Sequence, residues 1–278
     1  KPGALARYGL GYEDLRQINP KIVFCTVSGY GMSGPYKDMP SHGIAYDTWS
    51  GVVKPAYDDE GFCYIPEHVG IGINAAPLFG GLAVLAGVIR ARETGQGCFM
   101  ELAQSDAAAA FDWYRSESHM AYARPEDVVT GNKSDNYVRR PVATAGMKEG
   151  VRYQLYESAD GHVLFMASEQ AFWKNFCAGV GRTDLFDKWP GSKYADHARG
   201  NRELQAILRD IFRSRKTQEW IDFGGEFNTP IAPVNTPANI VDDPQFKDRL
   251  RIMPHDKHGA DMLGFPVKFV GEQEVDPS

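Results

Sequence analysis

The sequence predicts an α/β fold, and the order of its first strand-like and helix-like segments is the basis for this. A helical pattern over residues 8–19 ends before a proline, and a continuous apolar run, 22–28, follows it. Such runs are typical of strands buried on both faces of a parallel sheet. A long uncharged segment, 69–89, precedes a second strand-like run, 98–103. Strands that alternate with helices in this way are typical of α/β folds.

The uncharged segment 69–89 is long enough to span a membrane. It is interrupted by glycines and Pro77, lacks an aromatic belt and has arginines at one end only, so we expect a buried helix and no membrane span. Pro77 is expected near the first turn, and Arg90 and Gly95 form a plausible C-terminal stop. Apolar residues recur at helical spacing at Leu78, Leu82, Leu85 and Ile89.

A second, smaller α+β module is predicted from residue 151. Two apolar runs, 153–156 and 162–167, flank an Asp-Gly turn, which is a strong local hairpin signal. Helical patterns follow, and a proline-rich stretch, 230–244, is expected to leave the module as an extended connector. The predicted division is a large-domain part over 1–123, a linker over 124–150, a small domain over 151–228 and a C-terminal segment over 229–278.

Composition excludes several classes of function. A formal net charge of −6 and a pI near 5.7 provide no basic surface for nucleic acid. The four cysteines contain no C-x-x-C pair, and the histidines show no metal-binding spacing, so we expect neither a metal site nor a disulfide scaffold. A reducing, cytoplasmic location follows as the expectation.

Two short segments are candidates for chemistry. Glu67 and His68 place a carboxylate and an imidazole directly before the glycine-rich uncharged segment. The run from Gly29 to Gly34 matches G-x-G-x-x-G after a strand, as in dinucleotide-binding folds. Because loop sequence with two prolines follows it where a helix would have to begin, we expect a ligand-lining loop and no dinucleotide site.

Short phrases along nearly the whole chain occur in an order that is collectively specific. They are Pro2-Gly3, Gly9–Leu15, Asn19-Pro20, Ser28–Gly31, Gly34-Pro35, Ser50-Gly51, Arg90–Gly97, Asp160-Gly161, Pro230–Val234 and Asp243–Gln245. Together they resemble the family III CoA-transferases, which include formyl-CoA and carnitine CoA-transferases and the α-methylacyl-CoA racemases. The resemblance implies an incomplete Rossmann-like large domain that is split in sequence and lacks its N-terminal part. It also implies a small α+β domain, a C-terminal segment that returns to the large domain, and an interlocked homodimer.

The resemblance implies transfer of CoA between an acyl-CoA and a small carboxylic acid, with no cofactor beyond CoA as substrate. The transferases use an aspartate, just before a glycine-bearing helix start, as the nucleophile that forms an acyl anhydride and then a CoA thioester. Matching Gly70 and Gly72 to that pattern puts Glu67 at the aspartate's place, and a shift by one residue puts His68 there.

Two alternatives stay open. His42 falls where the racemase branch carries an acid–base histidine, and with Glu67 it would form the pair that a 2-methylacyl-CoA racemase needs. A catalytically silent CoA-transferase subunit is the third hypothesis, because the expected aspartate is absent. The remaining residues that we expect to bind substrate or CoA are Gly29, Tyr30, Gly31, Lys37, Tyr46, Asp47, Gly70, Gly72 and Arg90.

Overall fold

The computed structural model of the protein describes residues 3–125, 127–129, 147–192, 196–250 and 252–267. Those up to residue 129 belong to one unit, and those from residue 147 onward belong to a second. The elements of the first unit are a 3-10 turn (Leu5–Tyr8), α1 (Tyr12–Ile18), β1 (Val23–Ser28), α2 (Gly43–Trp49), β2 (Ala56–Tyr57), β3 (Cys63–Tyr64), α3 (Ile71–Thr94), β4 (Cys98–Ala103), α4 (Gln104–Phe111) and α5 (Trp113–Tyr122).

The two strands predicted at the start of the chain pair with each other. β1 and β4 are parallel, in register from Val23 opposite Cys98 to Ser28 opposite Ala103. Helix α3 is the crossover between them and packs on both strands. β2 and β3 form a short antiparallel pair in the connection that leads to α3. The parallel pair and its crossover helix confirm the predicted α/β class of this unit.

Helix α3 begins after Gly70 and ends at Gly95, whose φ of 74° is the left-handed conformation of a helix C-cap. Its buried positions are glycines and alanines, namely Gly72, Ala75, Ala76, Gly80, Gly87 and Ala91. The apolar residues at helical spacing are instead exposed: Leu78 by 61%, Leu82 by 67%, Leu85 by 63% and Ile89 by 59%. The expectation of a buried helix is therefore wrong for this stripe.

The small residues of α3 are buried, and its leucines exposed, because the backbone of α3 lies very close to the two strands. A Cβ atom on Gly87 would lie 2.8 Å from Val23 Cγ1 and 3.0 Å from Cys98 Sγ. Only residues without a bulky side chain fit at that distance. The expectation for Pro77 is also wrong, because it lies inside α3 beyond the first turn and removes one i→i−4 hydrogen bond.

By length and composition, α3 also meets the requirements for crossing a membrane. One such helix is a weak indication, because core helices of soluble proteins meet the same requirements. The packing of its glycine and alanine face against β1 and β4 is that of a core helix.

The second unit contains the predicted hairpin. Its elements are a 3-10 turn (Met147–Glu149), β5 (Tyr153–Glu157), β6 (His162–Met166), α6 (Gln170–Gly179), α7 (Thr183–Lys188), α8 (Arg202–Phe212), α9 (Thr217–Glu226), β7 (Ile231–Pro233), a 3-10 turn (Ile240–Asp242), α10 (Pro244–Arg249), β8 (Ile252–Met253), α11 (His255–His258) and β9 (Met262–Leu263). β6 pairs antiparallel with both β5 and β7, whereas β8 pairs with β9. Since β7 lies in the proline-rich stretch, the small sheet extends past the predicted boundary at residue 228. Most of the predicted linker, residues 130–146, lies outside the described residues.

An aromatic cluster forms the core of this unit. The side chains of Phe165, Trp173, Phe176, Phe212 and Trp220 have no exposed surface. Both indole N–H groups are satisfied by backbone carbonyls at 2.8 Å, of Trp189 for Trp173 and of Phe212 for Trp220. Large rings with their polar atoms paired give this sheet-and-helix unit its own hydrophobic core.

Two glycines of α3 provide a matched test of the close helix–strand contact. We expect Gly81→Ala, which meets no atom within 4 Å, to raise the free energy of unfolding by about 0.5–1 kcal/mol through helix propensity. Gly87→Ala should instead lower it by about 1–3 kcal/mol, because the added carbon overpacks against Val23. Urea unfolding of both variants checks this, and equal effects would contradict the packing.

The cysteines provide a second test. Burial raises the pKa of the Cys177 thiol to about 12, although the charge of Arg152 opposes the shift. At pH 8 only about one Cys177 thiol in 10⁴ is then ionised in the folded protein. We expect a thiol reagent to label exposed Cys63 quickly and Cys177 only after unfolding. Labelling of both residues at one rate in the native protein would contradict this.

Candidate active site

The candidate site lies at the carboxyl edge of the β1–β4 pair. Both strands end at this edge, at Ser28 and Ala103. The loop after β1 and the helix after β4 are joined there, because the Ser105 N–H donates to the carbonyl of Gly29 at 3.0 Å. Ligands of open α/β sheets bind in the crevice at the carboxyl ends of the strands. We therefore expect the site to be formed by the segments that follow β1 and β4 at this edge.

The glycine-rich loop after β1 is held by side chains of both strands. The Gly31 N–H donates to Ser28 Oγ at 3.1 Å, and the Met32 N–H donates to Glu101 Oε2 at 2.8 Å. Gly31 has a φ of 86° and Gly34 a φ of 81°, so the loop requires glycine at both positions. No helix begins at Gly34, as expected from the prolines that follow it. The anchoring role of Glu101 was missed from the sequence.

Three tyrosines pack around this loop. The ring of Tyr30 makes edge contacts with the rings of Tyr36 and Tyr46, with centroids 5.6 and 5.7 Å apart. The hydroxyl of Tyr46 lies 3.0 Å from Ser41 Oγ. A Cβ atom on Gly29 would collide with Ser41 Oγ and would lie 2.8 Å from Tyr46 Cε1. The structure thus brings Gly29, Tyr30 and Tyr46 together, and their binding role stays a prediction.

Asp47 on α2 lies at the N-terminal end of α3. Its side chain has no exposed surface, and its Oδ1 accepts a hydrogen bond of 2.8 Å from the Gly72 N–H. Its Oδ2 has no hydrogen-bond partner among the described residues. A Cβ atom on Gly70 would lie 3.9 Å from this oxygen. The free N–H groups of the first turn of a helix stabilise a negative charge at such a position.

Gly72 is the point at which α2, α3 and α4 meet. A Cβ atom there would lie 2.9 Å from the carbonyl oxygen of Gln104 and 3.0 Å from Tyr46 Cβ. The absence of a side chain therefore allows α3 to approach the other two helices closely enough for the Asp47 hydrogen bond. Of the predicted binding residues, Tyr46, Asp47, Gly70 and Gly72 form one cluster.

The three residues predicted as catalytic are all exposed. The side chains of Glu67 and His42 make no hydrogen bond or ion pair with any described residue, and His42 caps α2 only through its backbone carbonyl, which accepts from the Ala45 N–H at 2.9 Å. The His68 Nδ1 atom lies 3.0 Å from the Pro66 carbonyl oxygen. The structure does not bring His42 and Glu67 into contact. Both residues stay predictions.

The two predicted basic residues lie apart from the cluster. Lys37 is exposed in the loop after β1. Arg90 is exposed near the C-terminal end of α3, roughly 27 Å along the helix axis from Gly72 at 1.5 Å per residue. The structure therefore does not bring Arg90 to the N-terminal end of α3. No group of three metal-ligating side chains occurs among the described residues.

Comparison with known proteins identifies the family. The model of CoA-transferase family III matches residues 1–277. The chain belongs to this family. The resemblance found in the sequence is thereby confirmed.

Two curated relatives show what kinds of protein resemble this family III chain. The human succinyl-CoA:glutarate CoA-transferase is 28% identical over 251 residues, which are 88% of this chain and 52% of the relative. The succinyl-CoA:mesaconate CoA-transferase of Haloarcula marismortui is 26% identical over 281 residues, 96% of this chain and 65% of the relative. The chain thus spans between half and two thirds of the length of these relatives.

A solved structure supports the fold of the family III chain. A CAIB/BAIF family protein from Brucella suis superposes with a TM-score of 0.73 at 21% identity, and the match covers 97% of this chain and 67% of that protein. The mixed α/β architecture is therefore that of a known structure.

An apolar cleft of about 290 Å³ lies beside the site and was not predicted. Its walls come from β4, α3 and α4, with Phe79, Met100 and Leu102 among the lining residues, and Glu101 and Asp106 also line it. Glu101 is the one charged residue of β4, and an acid within an otherwise apolar strand is the sequence signal that singles it out.

The convergence at Gly72 can be tested by adding one carbon atom. We expect Gly72→Ala to lower the free energy of unfolding by about 1–3 kcal/mol, because its Cβ meets a backbone oxygen that does not move easily. Asn74→Ala, two residues further and exposed, should change it by less than about 0.5 kcal/mol. Chemical unfolding measures both variants, and a neutral Gly72→Ala would contradict the close contact.

Proposed function

We propose that the protein transfers CoA from an acyl-CoA to a small carboxylic acid. Family membership and the names of the two curated relatives support this reaction class. The observation that carries the proposal is structural: a buried carboxylate, one oxygen of which has no hydrogen-bond partner in the described part of the chain, lies at the N-terminal end of a glycine-bearing helix and at the carboxyl edge of a parallel sheet. That is the side chain this chemistry requires, in the place where ligands of such sheets bind.

In the proposed reaction an enzyme carboxylate attacks the thioester carbonyl and releases CoA thiolate, which leaves a mixed anhydride. The thiolate then attacks the enzyme's own carbonyl carbon, releases the first acid and forms an enzyme–CoA thioester. An acceptor carboxylate reverses both steps and leaves as the new acyl-CoA. The candidate donors to the tetrahedral oxyanions are the backbone N–H groups of the first turn of α3 other than Gly72, and those of the Gly29–Gly34 loop other than Gly31 and Met32.

Two carboxylates are near enough to the start of α3 to be that nucleophile. Glu67 lies in the loop that leads to the helix and was nominated by sequence order, whereas Asp47 reaches the helix from α2. The proposal also includes CoA as the only cofactor-like molecule, a cytoplasmic location and a Rossmann-like large domain split in sequence.

The proposal includes a homodimer. Helix α3 exposes a stripe of apolar side chains, namely Leu78, Leu82, Leu85 and Ile89. Contiguous exposed apolar surface is typical of interaction sites, so this stripe supports the proposal that a second subunit packs on α3.

Transfer can be measured with the substrates of the relatives. We expect the protein, given succinyl-CoA with glutarate or mesaconate, to form the acceptor's CoA ester and to exchange labelled succinate into succinyl-CoA. Hydroxylamine should inactivate it only when acyl-CoA is present, because the reagent attacks the activated carbonyl carbon of the enzyme, expels the acid or CoA thiolate and leaves a stable hydroxamate on the side chain. Liquid chromatography of the CoA esters provides the measurement.

The other two hypotheses give different results in the same experiment. Exchange of the acyl α-proton with deuterated water, without any acceptor acid, would indicate a racemase with His42 and Glu67. Binding of CoA without transfer or proton exchange would indicate a silent subunit. Either result would overturn the proposed transfer.

A further inference from the structure

A basic strip on the second unit is not used by the proposed transfer. Residues 199–216 contain six basic and two acidic residues, in a chain whose formal net charge is −6. Arg202, Arg209 and Arg213 are separated by about two turns and about one turn of a helix. Three exposed guanidinium groups therefore follow one side of α8 and its C-terminal end.

These arginines line one wall of a groove, which we call the arginine groove, and β5 forms the other wall. The groove has a volume of about 410 Å³, and its remaining lining residues are Leu155, Tyr156, Glu157, Gln205 and Ala206. Arg213 Nε donates to Glu157 Oε2 at 2.8 Å. Both side chains of this pair are about half exposed, so the pair contributes little to stability and opens readily.

The other two arginines of the groove have weak or neutral partners among the described residues. Arg202 Nη1 donates to the uncharged Gln205 Oε1 at 2.7 Å. Arg209 Nε donates to Asp210 Oδ1 at 3.2 Å, and both of these side chains are more than half exposed. Asp210 does not line the groove. The arginine groove therefore presents positive charge to an anionic ligand.

The strand in this groove has an unpaired edge within the described residues. The sheet order is β5-β6-β7, so β5 pairs with β6 on one side only. In the hairpin the Ser158 N–H donates to the Gly161 carbonyl at 2.9 Å. Because hydrogen-bonded pairs alternate along an antiparallel ladder, the backbone groups of Tyr156 point to β6. Those of Leu155 and Glu157 point away from β6, to the groove.

One side chain covers part of this edge. Gln154 Oε1 accepts from the Leu155 N–H at 3.0 Å, and its amide nitrogen donates to the Gly150 carbonyl at 3.2 Å. Rotation of the glutamine side chain uncovers the Leu155 N–H. The Leu155 side chain is itself 52% exposed. An open strand edge with an apolar side chain beside it is a template for a further strand.

We infer that the arginine groove binds an extended acidic segment of a partner protein, which adds to β5 as an antiparallel strand. Such a segment would form backbone hydrogen bonds with Leu155 and Glu157. A polyphosphate has no N–H groups for the carbonyls of these residues, so the row of backbone groups favours a polypeptide. The acidic side chains would then pair with the arginines of α8.

The geometry also gives the sequence pattern of the partner. The Tyr156 ring stacks on Phe212 of α8, with centroids 4.9 Å apart, so the face of β5 that carries Tyr156 is the face on α8. Successive side chains of a strand alternate between faces. Partner residues opposite Tyr156, and those two positions away, therefore face the arginines, whereas residues opposite Leu155 face its apolar side chain. The expected pattern alternates acidic and apolar residues.

Synthetic peptides test the charge complementarity with the full chain. The probe is fluorescein-labelled Glu-Val-Glu-Val-Glu-Val-Glu with an amidated C-terminus, and fluorescence anisotropy measures its binding. We expect saturable binding that weakens as salt is added, because exposed charges are screened. The same peptide with lysine in place of every glutamate should not bind. Equal binding of the two peptides, or no binding of the acidic one, would overturn the inference.

The backbone pairing has a control of its own. In antiparallel addition the valine N–H groups of the probe face β5, and the glutamate N–H groups face away. N-methylation of the valines should therefore abolish binding, whereas N-methylation of the inner glutamates should leave it near the unmethylated value. Equal affinity of the two methylated peptides would overturn strand addition. Displacement of the probe by less inorganic tripolyphosphate than unlabelled peptide would overturn it too, because the groove would then be an anion site.

Arginine variants locate the peptide on the protein. We expect Arg202→Gln and Arg209→Gln each to raise the Kd of the acidic peptide at least about fivefold, because each removes a charge-assisted hydrogen bond. Arg249→Gln, the same exchange at an exposed arginine of α10 outside the groove, should leave the Kd unchanged. An unchanged Kd in both groove variants would place the peptide elsewhere and overturn the inference.

Discussion

The contact of three helices at Gly72 is the constraint on which the candidate site depends. Because position 72 has no side chain, α3 approaches α2 and α4 closely enough for its N–H to reach Asp47. The carboxylate is thereby buried with one oxygen unpaired, an arrangement that is costly unless charge is stabilised nearby. The N-terminal end of a 24-residue helix provides that stabilisation.

The same constraint governs the long helix as a whole. Burial on α3 is decided by volume rather than by hydrophobicity, since glycine and alanine contact the strands while leucine and isoleucine face outward. Close packing of backbones fixes the position of the helix start relative to β1 and β4. A site at the end of that helix is consequently carried by a rigid element, which is what oriented chemistry requires.

Local patterns predicted the parallel strands, the crossover helix and the Asp-Gly hairpin, because each depends on residues near one another in sequence. They failed for the buried face of α3, since helical periodicity of leucine does not report how close the neighbouring strands lie. They also nominated Glu67, which is close to Gly70 in sequence, whereas the partner of Gly72 is 25 residues away. A contact between two helices has no signature in either helix alone.

The origin of the carboxylate follows from the packing. A side chain at position 72 would lie 2.9 Å from the Gln104 carbonyl oxygen and would separate α3 from α4. The Asp47 carboxylate on α2 instead reaches the Gly72 N–H across the close contact between the two helices. Glycine at position 72 therefore permits both the close packing of the helices and the hydrogen bond to Asp47. These two effects of one glycine bring a glycine-bearing helix start and an aspartate together in space, although they are 25 residues apart in sequence.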